Sequence, residues 1–208
     1  MIVIIDYGMG NLRSVSKALD HLGTPNRITE DPATVAGAEK LILPGVGAFG
    51  DAMAELDRRG LTEPIKQRAA TGTPLLGICL GMQLIMETSE ESPGVAGLGL
   101  VEGTVARFRT SELKVPHMGW NTVRRCRSAP LFEGIEDDSW FYFVHSYCVQ
   151  PTSNAWDAVA GVTEYGGEFA SVLWRDNVMA TQFHPEKSQA VGLRMLGNFT
   201  QVLAPTPL

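Results

Sequence analysis

Residues 75–83 read Leu-Leu-Gly-Ile-Cys-Leu-Gly-Met-Gln and place Cys79 between Gly77 and Gly81, where an apolar run gives way to a helix-like stretch. This spacing matches the G-x-S-x-G turn between a strand and a helix, with sulfur in place of the hydroxyl oxygen. Such a turn strains its central residue and crowds both neighbours, so the flanking positions lack a β-carbon. The stretch predicts Cys79 as a nucleophile; a small buried cysteine is the alternative interpretation.

Short apolar runs alternate with helix-like stretches through the first half of the chain. The predicted strands there are residues 2–5, 41–43 and 75–78, and the predicted helices of the whole chain are residues 11–22, 49–59, 62–70, 80–88 and 188–203. Continuous apolar runs suit strands that are buried on both faces, as in a parallel sheet with crossover helices. We therefore expect an α/β fold with three layers, α/β/α, around a mixed, mostly parallel central sheet.

The second half of the chain is richer in strand-like segments. We expect strands at residues 100–108, 120–124, 140–149, 158–163, 169–174 and 178–183. Gly166-Gly167 and Asp176-Asn177 have the composition of hairpin turns, so antiparallel strands should extend the parallel sheet. The pattern predicts one domain over residues 1–203 and a frayed tail at residues 204–208.

Composition limits the classes of function. The chain has 208 residues, 44% of them hydrophobic, and a net charge of -6 without a long basic run, which argues against nucleic acid as a partner. Its three cysteines, Cys79, Cys126 and Cys148, show no paired spacing, so we expect a reducing, cytoplasmic compartment rather than a disulfide framework. The first apolar run meets Asp6 after four residues, so we expect neither a signal peptide nor a membrane span.

A cysteine nucleophile needs a base, and the base needs a group that fixes its tautomer. His184 ends the predicted strand at residues 178–183, which is where open α/β folds place their chemistry. Glu186, two residues further, can share a face with His184 if the backbone stays extended. The alternative interpretation makes His184 a loop histidine and Glu186 a solvated charge near a helix start, with Ser188 as N-cap.

The glycines at residues 45–50, Gly-Val-Gly-Ala-Phe-Gly, formally match a dinucleotide-binding motif. The next predicted strand ends in Cys79 rather than in an acidic residue for a ribose, which argues against that function. We interpret residues 44–47 instead as a strip beside the cysteine turn. A backbone N–H of Val46 or Gly47 would then complete an oxyanion hole with the N–H of Leu80. His117 and His145 have no recognised metal-ligand spacing with the cysteines, so we expect no metal and no cofactor.

Residues 77–83 together with His-Pro-Glu at residues 184–186 resemble the class I glutamine amidotransferases, whose triad is Cys, His and Glu. Further stretches narrow the resemblance to the glutaminase subunits of imidazole glycerol phosphate synthase, and it then covers nearly the whole chain. Those stretches are residues 6–11, 44–50, 115–121, 143–147 and 182–188. The resemblance also implies a flavodoxin-like core.

The resemblance implies L-glutamine as the substrate and a (βα)8-barrel cyclase subunit as the partner in a heterodimer that serves histidine biosynthesis. It assigns glutamine binding to Gly45, Gln83, Ser146 and Tyr147, and a place at the partner interface to Asn11 and Trp120. Most of the class carries Pro-Gly-Gly where this chain has Pro-Gly-Val-Gly at residues 44–47. This difference implies a strip that the partner switches between two states.

Three alternatives stay open at this point. One is the glutaminase of another amidotransferase, such as that of anthranilate synthesis, against which residues 115–121 argue. A second is a stand-alone cysteine hydrolase of similar fold, which would turn over without a partner. The third is a non-catalytic docking subunit, for which a lost Cys, His or Glu would be expected, and none of the three is lost.

Overall fold

The computed structural model of the chain describes residues 1–110 and 113–203, so the tail predicted at residues 204–208 lies outside the described residues. The strands are β1 Ile2–Ile5, β2 Asn26–Thr29, β3 Lys40–Gly45, β4 Leu75–Cys79, β5 Thr88–Ser89, β6 Gly103–Arg107, β7 His117–Arg125, β8 Ser139–His145, β9 Tyr147–Pro151, β10 Val159–Glu164, β11 Glu168–Arg175 and β12 Val178–Thr181. The α-helices are α1 Leu12–His21, α2 Pro32–Ala36, α3 Phe49–Arg58, α4 Thr62–Ala70, α5 Leu80–Leu84 and α6 Gln189–Gln201. Within the described ranges, no helix has the length and apolar character needed to cross a membrane.

A mixed sheet runs through the molecule in the order β2-β1-β3-β4-β12-β11-β10-β7-β8. The pairs from β2 to β12 are parallel, and the pairs from β12 onward are antiparallel. The two predicted hairpins are present, since β10 pairs with β11 and β11 pairs with β12 across the expected turns. The predicted α/β fold with a mixed central sheet is confirmed.

Helices cover both faces of the parallel half of the sheet. In β1, Val3 and Ile5 pack into one apolar cluster with residues of α2, α3 and α4, whereas Ile2 and Ile4 pack into a second cluster with residues of α1 and α6. All four β1 side chains are buried, which explains why the strand reads as a continuous apolar run. This burial on two faces produces the three layers.

The carboxyl ends of the parallel strands meet at one edge. Gly45, the last residue of β3, pairs with Cys79, the last residue of β4, and Thr181 at the end of β12 pairs with Ile78. Parallel strands all present their carboxyl ends to the same side, and loops at this side are the usual place for ligands in such sheets. Cys79, the residue 44–47 strip and His184 are therefore brought to one edge.

The predicted helix at residues 80–88 is wrong in its length, because α5 ends at Leu84. The carbonyl groups that would continue the helix accept hydrogen bonds from a later loop: Leu84 O from Leu98 N at 2.8 Å, and Ile85 O from Leu100 N at 2.8 Å. A β-carbon on Gly97 would lie 2.1 Å from the carbonyl oxygen of Met86. Because Gly97 has no side chain, the loop can approach closely enough for its N–H groups to take the place of the helix's own donors.

The single strand predicted at residues 140–149 is also wrong. The segment forms two strands separated at Ser146: β8 pairs with β7, and β9 pairs with β6 and β11. A change of pairing partners ends one strand and begins another although the apolar pattern runs on. The short elements β2 and α2 were not predicted; α2 begins after Asp31, whose side chain accepts hydrogen bonds from Ala33 N and Thr34 N.

Candidate active site

Cys79 occupies the turn between β4 and α5 with φ 55° and ψ -108°, a backbone conformation that L residues rarely adopt. A β-carbon at Gly77 would lie 2.7 Å from the carbonyl oxygen of Gly81, and one at Gly81 would lie 1.8 Å from the carbonyl oxygen of Leu43. Both flanking glycines are therefore required by close backbone contacts. The cysteine is 6% exposed, so its thiol lies at the floor of the adjoining pocket rather than on the open surface.

His184 and Glu186 form a buried pair. The Nδ1 atom of His184 donates a hydrogen bond to Oε1 of Glu186 at 2.8 Å, and the two side chains are 2% and 1% exposed. Because Nδ1 is bonded to this carboxylate, Nε2 is the ring nitrogen that can exchange a proton with a nucleophile. The Nε2 atom makes no well-aligned hydrogen bond within the described part of the chain.

The charges around His184 favour its protonated form. Burial alone would lower the pKa of His184, but its interactions with Cys79 and Glu186 outweigh burial and raise the pKa to about 9. Cys79 therefore interacts electrostatically with the imidazole, although Nε2 of His184 has no hydrogen-bond partner within the described residues. A histidine that holds a proton beside a cysteine can exchange that proton with the thiol and with the leaving group of a reaction there.

The backbone of His184 is fixed against β8. Its N–H donates to the carbonyl oxygen of Tyr142 at 2.9 Å, while its own carbonyl oxygen accepts from the Ser188 hydroxyl at 2.7 Å. The Ser188 hydroxyl in turn accepts from the N–H of Tyr142 at 3.0 Å. Ser188 lies at the N-cap position of α6 but its side chain makes no cap hydrogen bond. Its hydroxyl ties the histidine to the sheet instead of capping the helix.

A pocket of about 320 Å³ lies in front of Cys79, at the small end of the range for small-molecule sites. The predicted site residues that line it with Cys79 are Val46, Gly47, Leu80, Gln83, Ser146 and Tyr147. Gly45 does not line the pocket: it is buried behind the wall, where a β-carbon would lie 2.2 Å from the hydroxyl of Tyr7. His184 and Glu186 are likewise behind the pocket surface, beside the cysteine.

A chain of side-chain amides connects the pocket wall to the thiol. Gln83 Nε2 donates to the carbonyl oxygen of Tyr147 at 3.0 Å and to Oε1 of Gln182 at 3.3 Å. Gln182 Nε2 then lies 3.9 Å from the sulfur of Cys79. Gln182 was not predicted as a site residue. Its position at residue i−2 from His184 places it in the same loop and is the signal that could have found it.

Glu91 lines the pocket and was not predicted from the sequence. It is the one carboxylate among the residues that line this pocket, and its Oε2 accepts a hydrogen bond from the N–H of Phe49 at 2.7 Å. This bond fixes the carboxylate at the start of α3, where negative charge is stabilised. An anchored carboxylate suits a ligand that carries an ammonium group.

The residue 44–47 strip continues from the end of β3 along the pocket wall. Val46 is 41% exposed, and Gly47 has φ +103°, a conformation that favours glycine. A β-carbon on Gly47 would lie 2.5 Å from the terminal methyl group of Met9. The strip is therefore beside the cysteine, as expected, and it is one of the more exposed parts of the pocket.

The predicted interface residues lie in two places. Asn11 follows β1 at the edge that carries the strip, and its Oδ1 accepts from the hydroxyl of Ser14. Trp120 lies in β7 and is 43% exposed, next to Met118 at 63% on the same face of the strand. Trp140 on the paired strand β8 is 58% exposed. These three side chains form an apolar patch on the outer face of the β7–β8 ribbon.

A cysteine at a strand-to-helix turn, next to a histidine held by a carboxylate, is the arrangement that α/β cysteine hydrolases and acyl-transfer enzymes use. The family model of glutamine amidotransferase class-I matches residues 3–202. The chain therefore belongs to the class I glutamine amidotransferase family. Its identity of 54% and 50% with two proteins named imidazole glycerol phosphate synthase subunit HisH places it among those subunits.

Two curated relatives show the level of similarity. The imidazole glycerol phosphate synthase subunit HisH of Syntrophotalea carbinolica is 54% identical over 205 residues, covering 96% of this chain and 98% of the relative. Subunit HisH 1 of Methanococcus maripaludis is 50% identical over 207 residues, covering 98% and 100%.

Two solved structures share the fold at low identity. A glutamine amidotransferase crystal structure has a TM-score of 0.75 at 19% identity and covers 97% of this chain and 100% of that one. PurLQS from Thermotoga maritima has a TM-score of 0.74 at 18% identity and covers 96% and 95%.

Proposed function

We propose that this chain is the glutaminase subunit of an imidazole glycerol phosphate synthase, hydrolysing L-glutamine to glutamate and ammonia through Cys79, His184 and Glu186. The observation that carries the proposal is the buried hydrogen bond between His184 Nδ1 and Glu186 Oε1 beside a cysteine held at φ 55°. Membership of the HisH family, at 50–54% identity over nearly the full length, supplies the substrate and the pathway.

The proposed reaction forms and then hydrolyses a thioester. The Cys79 thiolate attacks the side-chain amide carbon of glutamine, and the C–N bond breaks as His184 Nε2 gives its proton to the leaving ammonia. The neutral His184 then removes a proton from water, which attacks the glutamyl thioester and releases glutamate and the Cys79 thiolate. Glu186 keeps the imidazole in one tautomer throughout and stabilises its charged form.

The oxyanion of each tetrahedral intermediate would be held by backbone N–H groups of Leu80 and of the strip at Val46 or Gly47. Loss of one such donor costs about a hundred- to a thousandfold in rate, so moving the strip in and out of place is sufficient to gate the enzyme. The exposure of Val46 and the positive φ of Gly47 support a strip that can change its conformation. Gating prevents the loss of free ammonia.

Glutamine recognition is assigned to the rest of the pocket wall. The fixed carboxylate of Glu91 suits the α-ammonium group of the amino acid. Gln83 and the Ser146–Tyr147 backbone would hold the remainder of the substrate. Gly45, in contrast, lies behind the wall, and we propose that it acts by allowing β3 to approach the cysteine turn.

The proposed partner is a (βα)8-barrel cyclase subunit that uses the ammonia on a phosphoribulosyl formimino carboxamide nucleotide in histidine biosynthesis. The apolar patch of Met118, Trp120 and Trp140 supports a protein partner at the β7–β8 ribbon, and Asn11 is proposed at the same interface. The three cysteines form no disulfide, which supports a cytoplasmic location.

The test is glutamate release from glutamine by the purified chain, first alone and then with the cyclase subunit and its nucleotide. We expect a large rise only when partner and nucleotide are present, and no release by the Cys79→Ala variant, which should still support ammonia-driven cyclase activity. Strong turnover by the chain alone would identify an independent hydrolase. Equal loss of the glutamine-driven and ammonia-driven activities in Cys79→Ala would contradict the assignment of the nucleophile.

A further inference from the structure

Two buried histidines form a pair that the proposed mechanism does not use. His117 in β7 and His145 in β8 are register partners, 3% and 6% exposed, with Nδ1 of His117 3.0 Å from Nε2 of His145. The ring of His117 stacks against Phe143 at 4.8 Å and Tyr165 at 3.9 Å between centroids. These aromatic contacts hold the imidazole planes in place, so the contact between the histidines has a fixed geometry.

The neighbours of the pair determine which nitrogen carries each proton. The Asn121 amide has its orientation fixed, because Oδ1 accepts from Thr122 N at 2.8 Å and Nδ2 donates to Glu164 O at 2.9 Å. The same Nδ2 lies 3.3 Å from Nε2 of His117, which must therefore accept. At the other end, Nδ1 of His145 lies 2.8 Å from the carbonyl oxygen of Tyr147 and must donate.

Both histidines must then be neutral with the proton on Nδ1. His117 Nδ1 donates to His145 Nε2, and His145 Nδ1 donates to the Tyr147 carbonyl, so every bond in the series runs in one direction. Burial lowers the pKa of His117 to about 4 and, against the opposing hydrogen bond to Tyr147, lowers the pKa of His145 to about 3. Neutral rings at physiological pH agree with the directions that the neighbours impose.

The series ends in the glutamine pocket. The Tyr147 carbonyl that accepts from His145 also accepts from Gln83 Nε2 at 3.0 Å, and Gln83 continues to Gln182, which lies 3.9 Å from the Cys79 sulfur. His145, Tyr147 and Gln83 line the pocket, whereas His117 lies outside it. The hydrogen bonds of His117 reach the pocket through His145, and its chain neighbour Pro116 lines the pocket directly.

We propose that His117 and His145 are positioning residues: a one-tautomer histidine relay that holds the Tyr147 carbonyl and, through it, Gln83 in the conformation that binds glutamine. The relay begins in β7, whose opposite face carries the apolar patch of Met118 and Trp120, so it joins the surface proposed for the partner to the substrate pocket. The kinetic part of this inference rests on the proposed glutaminase function; the tautomer part does not.

The first measurement is nitrogen-15 NMR of the imidazole groups in the intact chain, which distinguishes the two neutral tautomers directly. We expect both buried histidines as Nδ1–H in the wild type; in His117→Leu, His145 should stay Nδ1–H because the Tyr147 carbonyl still requires a donor, but the nitrogen-15 shift of its Nε2 should move because that atom has lost its hydrogen bond. His117→Asn keeps a donor nitrogen near the Nδ1 position and should return the Nε2 shift of His145 toward its wild-type value. An Nε2–H tautomer of His145 in the wild type would overturn the relay, whatever the chain's activity.

The second measurement is glutaminase kinetics with the cyclase subunit and nucleotide present. His117→Leu should raise KM for glutamine about tenfold, the effect of losing one buried hydrogen bond, while His117→Asn stays within about twofold of the wild type. His21→Asn, at the exposed end of α1, is the matched control and should not change KM. Ammonia-driven cyclase activity reports that each variant folds and docks.

Three kinetic outcomes separate the explanations. Equal KM increases in His117→Leu and His117→Asn would mean that only packing matters, and an unchanged KM in His117→Leu would mean that the pair does not reach the pocket. Either result overturns the positioning role. Absence of glutaminase activity in the wild-type complex would refute the proposed function instead, and the tautomer measurement would then decide on the relay alone.

Discussion

Tyr7 offers a sharp test of how the site is packed, because its hydroxyl is buried without a hydrogen-bond partner within the described residues. The side chain is 0% exposed, and burial, followed by the proximity of Cys79, strongly raises its pKa. Its hydroxyl occupies the space left by the missing side chain of Gly45. A buried polar group without a partner costs about 1–3 kcal/mol, so Tyr7→Phe should stabilise the chain by about that amount.

For a chain of this size, each kcal/mol corresponds to about 2–4 °C in the melting temperature, so the midpoint should rise by about 2–12 °C. Thermal and urea unfolding of the purified chain provide the measurement. Tyr165→Phe is the matched control, because the Tyr165 hydroxyl donates to the carbonyl oxygen of Lys114 at 2.7 Å. That variant should lose about 0.5–1.5 kcal/mol. A Tyr7→Phe chain less stable than the wild type would refute the reasoning.

Three further predictions follow from backbone geometry and charge. Gly81→Ala should prevent normal folding or cost more than about 3 kcal/mol in urea unfolding, because its β-carbon would lie 1.8 Å from a carbonyl oxygen. Gly197→Ala in α6 is the control and should be neutral or stabilising, because the nearest atom outside its own helix would lie 3.8 Å from the new β-carbon. Gly47→Ala should reduce nucleotide-stimulated glutaminase turnover at least tenfold by strain in the strip; an unchanged stimulated rate would exclude a switch at this position. The contribution of protonated His184 to the free energy of unfolding should be full below about pH 6.5 and lost as the pH rises through about 9, since its folded-state pKa lies above the unfolded value. Urea unfolding of the wild type and of His184→Asn across this pH range provides the measurement, and a difference between them that does not shrink toward pH 9 would contradict the ion pair of His184 with Glu186.

Local sequence predicted the turn that carries Cys79 because its requirements are local. Gly77 and Gly81, two residues before and after Cys79, lie so close to other backbone atoms that a side chain would not fit. The apolar run before the turn marks the buried strand. The hairpin turns at Gly166-Gly167 and Asp176-Asn177 were equally readable for the same reason. The pairing of His184 with Glu186 was predicted on an extended backbone, and that reason was wrong: the chain turns into a short 3-10 helix at Pro185–Lys187, and the two side chains meet across this turn.

The parts that could not be predicted depend on partners distant in sequence. The end of α5 at Leu84 is set by hydrogen bonds from the loop that contains Leu98, and the break at Ser146 is set by a change of neighbouring strand. Glu91 reaches the pocket through a bond to Phe49 N, 42 residues away. His117 and His145 looked unrelated in the sequence because their contact exists only through the pairing of β7 with β8.

The most direct test of the central claim is covalent labelling of the chain, in complex with its cyclase subunit and nucleotide, by a chloroketone analogue of glutamine, followed by peptide mass spectrometry. Cys126 is exposed and serves as the internal control for ordinary thiol reactivity. The account predicts rapid labelling of the buried Cys79 alone, with protection by excess glutamine and loss of labelling in the Glu186→Gln variant. Labelling of Cys126 in preference to Cys79, or labelling of Cys79 that glutamine does not slow, would contradict it.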